Sequence, residues 1–284
     1  MGVHQVERIV RPTSREEAWE IREREASASR FLAGGVDLVL YAPPSVTTLI
    51  DLSGLGLDGV REEGDEVVLG AMATLSEVLE SEIVRDVAGG FLSTVLRRVA
   101  SPLQRNAATI GGAVVRAHPW SDVVPALLVL DARLDAFDGR ERSLDVADSS
   151  PRGESLPPLV LAVRLPGAAR RRRASFEKFA RVGFDVSVLN CACSARVEGG
   201  VCRDVRVAIG GTPSLARRLP GVEQMLEGRA LDPDRIASAG RQGSEEIDAR
   251  DDRRATADYR RRLADVGLRR CLASWQELKG RRVR

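Results

Sequence analysis

Histidine is almost missing from this chain: His4 and His118 are the only two in 284 residues. That leaves little from which to build a histidine metal site. Cysteine is sparse as well. Cys191, Cys193, Cys202 and Cys271 form no C-x-x-C arrangement, so neither a zinc set nor an iron–sulfur set is spelled out. They read as small buried thiols of a reducing cytosol. Cys191 and Cys193, two apart, share one face if they lie on a strand. Aromatic residues are only 4% of the chain, and no stacking platform accompanies the arginine run at 170–173. That run therefore reads as a solvated face or a subunit contact, not a nucleic-acid patch. A formal net charge of +2 gives no further argument for nucleic acid. No apolar run approaches the roughly 18 residues that cross a bilayer, and no cleavable leader pattern opens the chain. The expectation is a soluble, cytoplasmic protein with no membrane partner.

What is present is enough apolar content for two modest domains or one large one. Residues 6–10 read as a strand, and Thr13-Ser14 opens a helix to about residue 25 with Glu16 and Glu17 in its first turn. Strands at 30–33 and 47–51 complete a βαβ-type unit. A new sheet begins at 66–70. Thr74-x-x-Glu77 is a capping-box pattern. A helix over 90–100, with Leu92, Val95, Leu96 and Val99 on one face, is expected to stop at Pro102. A buried helix is expected over 122–131. Strands at 134–137 and 142–146 turn at Asp138-Gly139, and 159–165, apolar but for Arg164, reads as a central strand. The chain relaxes near 166–170, where a domain boundary is placed. Beyond it come antiparallel strands at 174–180, 186–196 and 201–209, the last two joined at Gly199-Gly200. Helices follow at 222–227, 233–240 and 255–278.

Two stretches carry the chemistry. Phe31-Leu-Ala-Gly-Gly-Val-Asp-Leu-Val39 runs from a strand through Gly34-Gly35 into a short helix, a geometry suited to phosphate. Thr109-Ile-Gly-Gly-Ala113 reads as a backbone pinch followed by an extended crossing, with a helix beginning at Asp122. Paired glycines leave amides free of side chains, so an anionic or planar ligand can approach the main chain. Gly-Gly also occurs at 89–90, 199–200 and 210–211, where simple turns suffice. Two such loops most of a domain apart suggest one ligand with two ends.

These loops, in this order and followed by Pro119-x-x-Asp122, resemble the flavin-binding subunit of the molybdenum hydroxylases. The family pattern is Ala-Gly-Gly-Thr-Asp-Leu, then Ser-Pro-x-x-Arg-Asn-x-x-Thr-Ile-Gly-Gly-Asn and Pro-x-x-Asp. The segments Ala257-Asp-Tyr-Arg-Arg-Arg-Leu263 and Arg269-Arg-Cys-Leu272 resemble its carboxy-terminal domain, so the likeness spans almost the whole chain. The resemblance implies an α+β fold. Residues 1–170 would form a two-lobed FAD-binding domain of the PCMH or vanillyl-alcohol-oxidase type, with lobes at about 1–53 and 54–170. Residues 171–284 would form a smaller domain of three antiparallel strands plus helices.

By the same resemblance the cofactor is FAD, lying between the lobes. Leu32, Ala33, Gly34, Gly35, Val36, Asp37, Leu38 and Val39 would cradle its diphosphate, and Thr109, Ile110, Gly111, Gly112 and Ala113 would run beside the ribityl chain and phosphates. Asp122 matches an aspartate reaching a sugar hydroxyl; as a plain residue it would be a helix N-cap, unless Ser121 caps instead. Lys178 matches a lysine near the flavin, where a cation favours the reduced, anionic ring. Its other reading is a solvent-facing strand lysine. Val99, Val160 and Leu161 match apolar positions lining the cofactor, and serve equally well as core. Where the family has Asn, this chain has Ala113, which removes one hydrogen bond worth on the order of 1 kcal/mol.

No residue reads as a catalytic base, nucleophile or metal ligand. The resemblance implies an electron-transfer subunit serving a molybdopterin-binding large subunit and a two-iron two-sulfur small subunit, and passing electrons to NAD+, oxygen or another acceptor. Two other readings stay open: a stand-alone flavin oxidoreductase acting on a small molecule, and a scaffold subunit that has lost FAD.

Overall fold

A computed structural model describes residues 5–147 and 158–277. His4 and the expected last helical residue, Leu278, lie outside them. The first lobe contains β1 (Arg8–Val10), α1 (Arg15–Arg24), β2 (Ser29–Leu32), α2 (Leu38–Tyr41) and β3 (Thr48–Asp51). Its sheet is parallel, in the order β1-β3-β2. The Ser14 hydroxyl accepts from the Glu17 amide, and the Glu17 carboxylate accepts from the Thr13 amide at 2.7 Å, which starts α1 where the sequence indicates.

The second lobe opens with β4 (Val60–Glu63), a strand with no clear sequence signal, and β5 (Glu66–Gly70). Then come α3 (Leu75–Glu80), α4 (Glu82–Arg85), α5 (Phe91–Leu96), α6 (Pro102–Arg105), α7 (Ile110–Arg116) and α8 (Val123–Val129). β6 (Arg133–Phe137), β7 (Glu141–Asp145) and β8 (Leu159–Leu165) complete an antiparallel sheet in the order β4-β5-β8-β6-β7. The largely apolar strand β8 is central, and its one charged residue, Arg164, pairs with Glu63, Glu66 and Asp135. The Thr74 capping box is formed in full.

Three expectations here are corrected. The helix read over 90–100 ends at Leu96, and Ala100 takes a positive φ of 49°. Pro102 stops nothing: it occupies the first turn of α6, where its missing N–H costs no bond, behind a Ser101–Gln104 capping box. The supposed extended crossing after Thr109 is the helix α7.

The carboxy-terminal unit comprises β9 (Arg173–Phe179), β10 (Leu189–Glu198), β11 (Val201–Gly210) and β12 (Arg217–Arg218), with α9 (Pro220–Leu226), α10 (Pro233–Glu246) and α11 (Ala257–Glu277). The three expected strands gain a two-residue edge strand, and the sheet order is β12-β11-β10-β9. α10 continues past Gly240 because Gly240 and Gly243 face α11, whose Asp265 and Leu268 leave no room for a side chain.

Three clusters hold the parts together. Val67, Leu69, Leu92, Leu96, Ile110, Leu127 and Val163 centre the second lobe. Ala18, Trp19, Ile50 and Leu52 of the first lobe meet Phe137 and Leu159 of the second. In the third unit Cys191, Cys193 and Cys271 lie among Leu189, Val207, Leu268 and Trp275. All four cysteines are free and buried. Burial pushes the Cys191 thiol up, and for Cys193 the hydrogen bond with Cys271 leads, with burial adding to it. These thiols are packing groups, not nucleophiles.

The third unit is clasped to the second by Asp131, which accepts from Arg206 Nε at 2.7 Å and pairs with Arg172. Burial lowers the pKa of Arg172, and Asp131 works against that effect. Asp131→Ala leaves Arg172 buried without its carboxylate. It is expected to lower stability by about 3 kcal/mol, read from urea denaturation.

Candidate cofactor site

The first glycine loop leaves β2 at Leu32 and is half-buried from Leu32 to Leu38, while Val39 is exposed. Gly35 takes a φ of 70°, which glycine adopts without strain. Among the described residues, the amides of Gly34, Gly35, Val36, Asp37 and Leu38 donate to no protein acceptor. A row of free amides in a half-buried loop is a cradle for an anion.

The second segment lies against the first. A Cβ on Gly34 would sit 1.6 Å from the Ala107 carbonyl oxygen, so the backbones of the two loops touch. Here the sequence reading needs correction, because the amides of Ile110, Gly111, Gly112 and Ala113 are already used. Ile110 N donates to Ala73 O at 2.9 Å and Gly111 N to Ala71 O at 3.0 Å. The Thr109 hydroxyl caps α7 by accepting from Gly112 N at 3.1 Å. A Cβ on Gly111 would lie 2.7 Å from Ala71, so the close approach of the two backbones itself calls for glycine here. Ile110 is core. What α7 offers is a surface: Gly112 and Arg116, four residues apart, are exposed on its open side, with the half-buried Ala113 at its edge.

Asp37 joins the two segments. Its Oδ1 lies 2.6 Å from His118 Nε2, and its Oδ2 accepts from Arg116 Nε. His118 stacks on Trp120 at 4.5 Å and 15°. Arg254, from the carboxy-terminal unit, covers the other ring with its Cζ 4.3 Å from the Trp120 centroid. The loop bearing Arg254 is fixed by Arg260, fully buried, which donates to the carbonyls of Gly211, Arg250 and Ala255 and to Asp252. Burial acts to raise the Asp252 pKa, but the bonds from Arg260 and the amides of Arg254 and Ala255 outweigh it, and the net shift is downward. None of these partners had a signal in the sequence.

Asp122 and Lys178 form a buried pair, 2.8 Å apart, with side chains only 5% and 3% exposed. Asp122 Oδ1 also accepts from Ser187 Oγ at 2.5 Å and Asn190 Nδ2 at 2.6 Å, while Lys178 Nζ donates to the Arg98 carbonyl at 2.7 Å. Asp122 makes no side-chain cap; Ser121 Oγ accepts from Val124 N instead. Nor does Lys178 face solvent. The pair is a single internal unit in which both oxygens of the carboxylate are engaged. Val160 points into the second-lobe core and Leu161 into the cluster between the lobes, since neighbours on a strand face opposite ways. Val99 is half-buried, and its carbonyl accepts from Arg105 at 2.8 Å.

Among the described residues no group of three or more His, Cys, Asp or Glu side chains is placed to hold a metal ion. No helix among them is long and apolar enough to cross a membrane.

A half-buried row of free amides lies against a second lobe and is backed by an antiparallel sheet domain, an arrangement that fits a protein with an anionic, nucleotide-type cofactor. Residues 4–180 match the family described as the FAD binding domain in molybdopterin dehydrogenase, and the chain belongs to it. Residues 174–275 match the CO dehydrogenase flavoprotein C-terminal domain. It is thus an FAD-binding medium subunit of the molybdenum-hydroxylase type. The carbon monoxide dehydrogenase medium chain of Hydrogenophaga pseudoflava is 28% identical, over 93% of this chain and 95% of that one. The nicotine 6-hydroxylase medium subunit of Paenarthrobacter nicotinovorans is also 28% identical over the same shares. The solved carbon monoxide dehydrogenase from Hydrogenophaga pseudoflava superimposes with a TM-score of 0.87 at 26% identity, covering 95% of this chain and 97% of that chain.

Proposed function

We propose that this chain holds FAD as the electron-transfer station of a larger oxidoreductase, receiving electrons from iron–sulfur clusters on a small partner subunit. The substrate would be oxidised on a molybdopterin-bearing large partner, and the final acceptor would be NAD+, oxygen or another oxidant. Bound FAD supplies the chemistry, taking up and releasing electrons. The observation that carries the reading is the row of free amides at 34–38 lying against the second segment, a fit for a diphosphate. In this reading the amides hold the diphosphate and the open side of α7 lies along the nucleotide. The Asp122–Lys178 pair braces the carboxy-terminal sheet behind it. The boundary between the FAD-binding domain and that sheet is placed at residue 170. The four free thiols support a reducing, cytoplasmic setting.

A tagged chain purified from its own host is expected to be yellow and to bring down chains carrying molybdenum and iron. In that assembly, reducing the iron–sulfur partner should bleach the flavin. A flavin that stays oxidised while the clusters are reduced would overturn the proposal. A smaller test concerns Ala113, at the edge of the open side of α7. Ala113→Asn restores the family residue and is expected to tighten FAD binding about fivefold, measured by fluorescence titration of the apoprotein.

A further inference from the structure

We infer that Arg116 and His118 serve to neutralise Asp37, so that the amide loop meets an anionic ligand without a bare carboxylate in its midst. The inference rests on the reading that residues 34–38 hold the diphosphate. Asp37 is part of that loop, and its own amide is one of those without a protein acceptor. A lone carboxylate there would repel phosphate through the same half-buried, weakly screened surroundings that strengthen the amide contacts. Both of its oxygens are instead engaged from the second segment, one by the Arg116 guanidinium and one by the His118 ring, 79 and 81 residues further along the chain. The nearby aromatic stack adds no negative charge, since Trp120 is covered by Arg254. The carboxylate beside that arginine, Asp252, is engaged by Arg260. Arg116 stands on the open side of α7 and is more exposed than His118, so its removal changes charge with little loss of packing.

Three roles for Arg116 make different patterns in a double-mutant cycle. A neutraliser matters only while Asp37 is charged. A direct phosphate ligand matters whether or not Asp37 is present. A mechanical clamp fails equally from either end. The test titrates FAD into apoprotein of the full chain, following flavin fluorescence at one pH and low ionic strength. Arg116→Gln is expected to raise Kd about tenfold, and the defect should shrink as salt is added. Asp37→Asn should bind within threefold of wild type or tighter, and the double variant should return to within threefold of wild type. A double variant as weak as Arg116→Gln, or an Asp37→Asn variant as weak as Arg116→Gln, would overturn the inference. Far-UV circular dichroism and urea midpoints establish that each variant is folded. Gly34→Ala in the same titration separates the two levels. If it loses FAD while the cycle fails, only the neutralising role is wrong. If it binds FAD normally, the diphosphate reading itself is wrong.

Discussion

Gly34→Ala is expected to yield a folded protein that does not retain FAD. The added Cβ would lie 1.6 Å from the Ala107 carbonyl oxygen and 2.7 Å from its carbon. Both obstacles are backbone, so no side-chain rotation relieves them. Gly34 has no positive φ, so the conflict is steric and not conformational. Relief requires the two loops to separate, which moves the amide row away from the open side of α7 and breaks the site without touching the lobes' cores. Overpacking of this kind costs about 1–3 kcal/mol, enough to lower the melting temperature without unfolding the chain. Gly183 is the control, because a Cβ there meets nothing within 4 Å and its φ is ordinary. Gly183→Ala should be yellow and as stable as wild type. The measurements are flavin-to-protein ratio after gel filtration, and helix content by circular dichroism. A Gly34→Ala protein with a full complement of FAD would remove the first loop from the site.

Lys178→Met is expected to cost the fold about 3–5 kcal/mol, because it leaves Asp122 charged, buried and short of its cation. Lys178 is one of only two lysines in the chain. Across the β9–β10 ladder it is the register partner of Asn190, and both side chains converge on Asp122. The carboxylate keeps the Ser187 and Asn190 bonds, so partial compensation is built in. Pairing the change with Asp122→Asn removes the stranded charge, and the double variant should recover more than half of the loss. Urea unfolding of apoprotein reads this directly. A single variant within 1 kcal/mol of wild type would show that Lys178 is not the partner on which Asp122 depends.

Much of the local structure was written in short-range chemistry. The Thr74–Glu77 box, the Ser14 cap, the largely apolar β8 and the Gly199-Gly200 turn, with φ of 58° and 88°, each follow from a few adjacent residues. The glycine loops were legible too, but not their reasons. Gly111 looks in sequence like an opening for a ligand, whereas in the fold it is a close approach between α7 and Ala71. Pro102 reads as a stop and acts as a start, because a proline's missing donor is harmless in a first turn.

The sequence alone determined the periodicities, the caps and the motif that names the family. These depend on backbone preferences within one or two turns, and such preferences act wherever the segment sits. Only the tertiary structure decided which charges meet. Asp37 with Arg116 and His118, and Asp122 with Lys178 and Asn190, are brought together by sheet register and lobe packing, across separations of 56 to 81 residues that no local pattern encodes. A side chain's partner in a fold is set by which surfaces the core presses together, and that is a property of the whole chain.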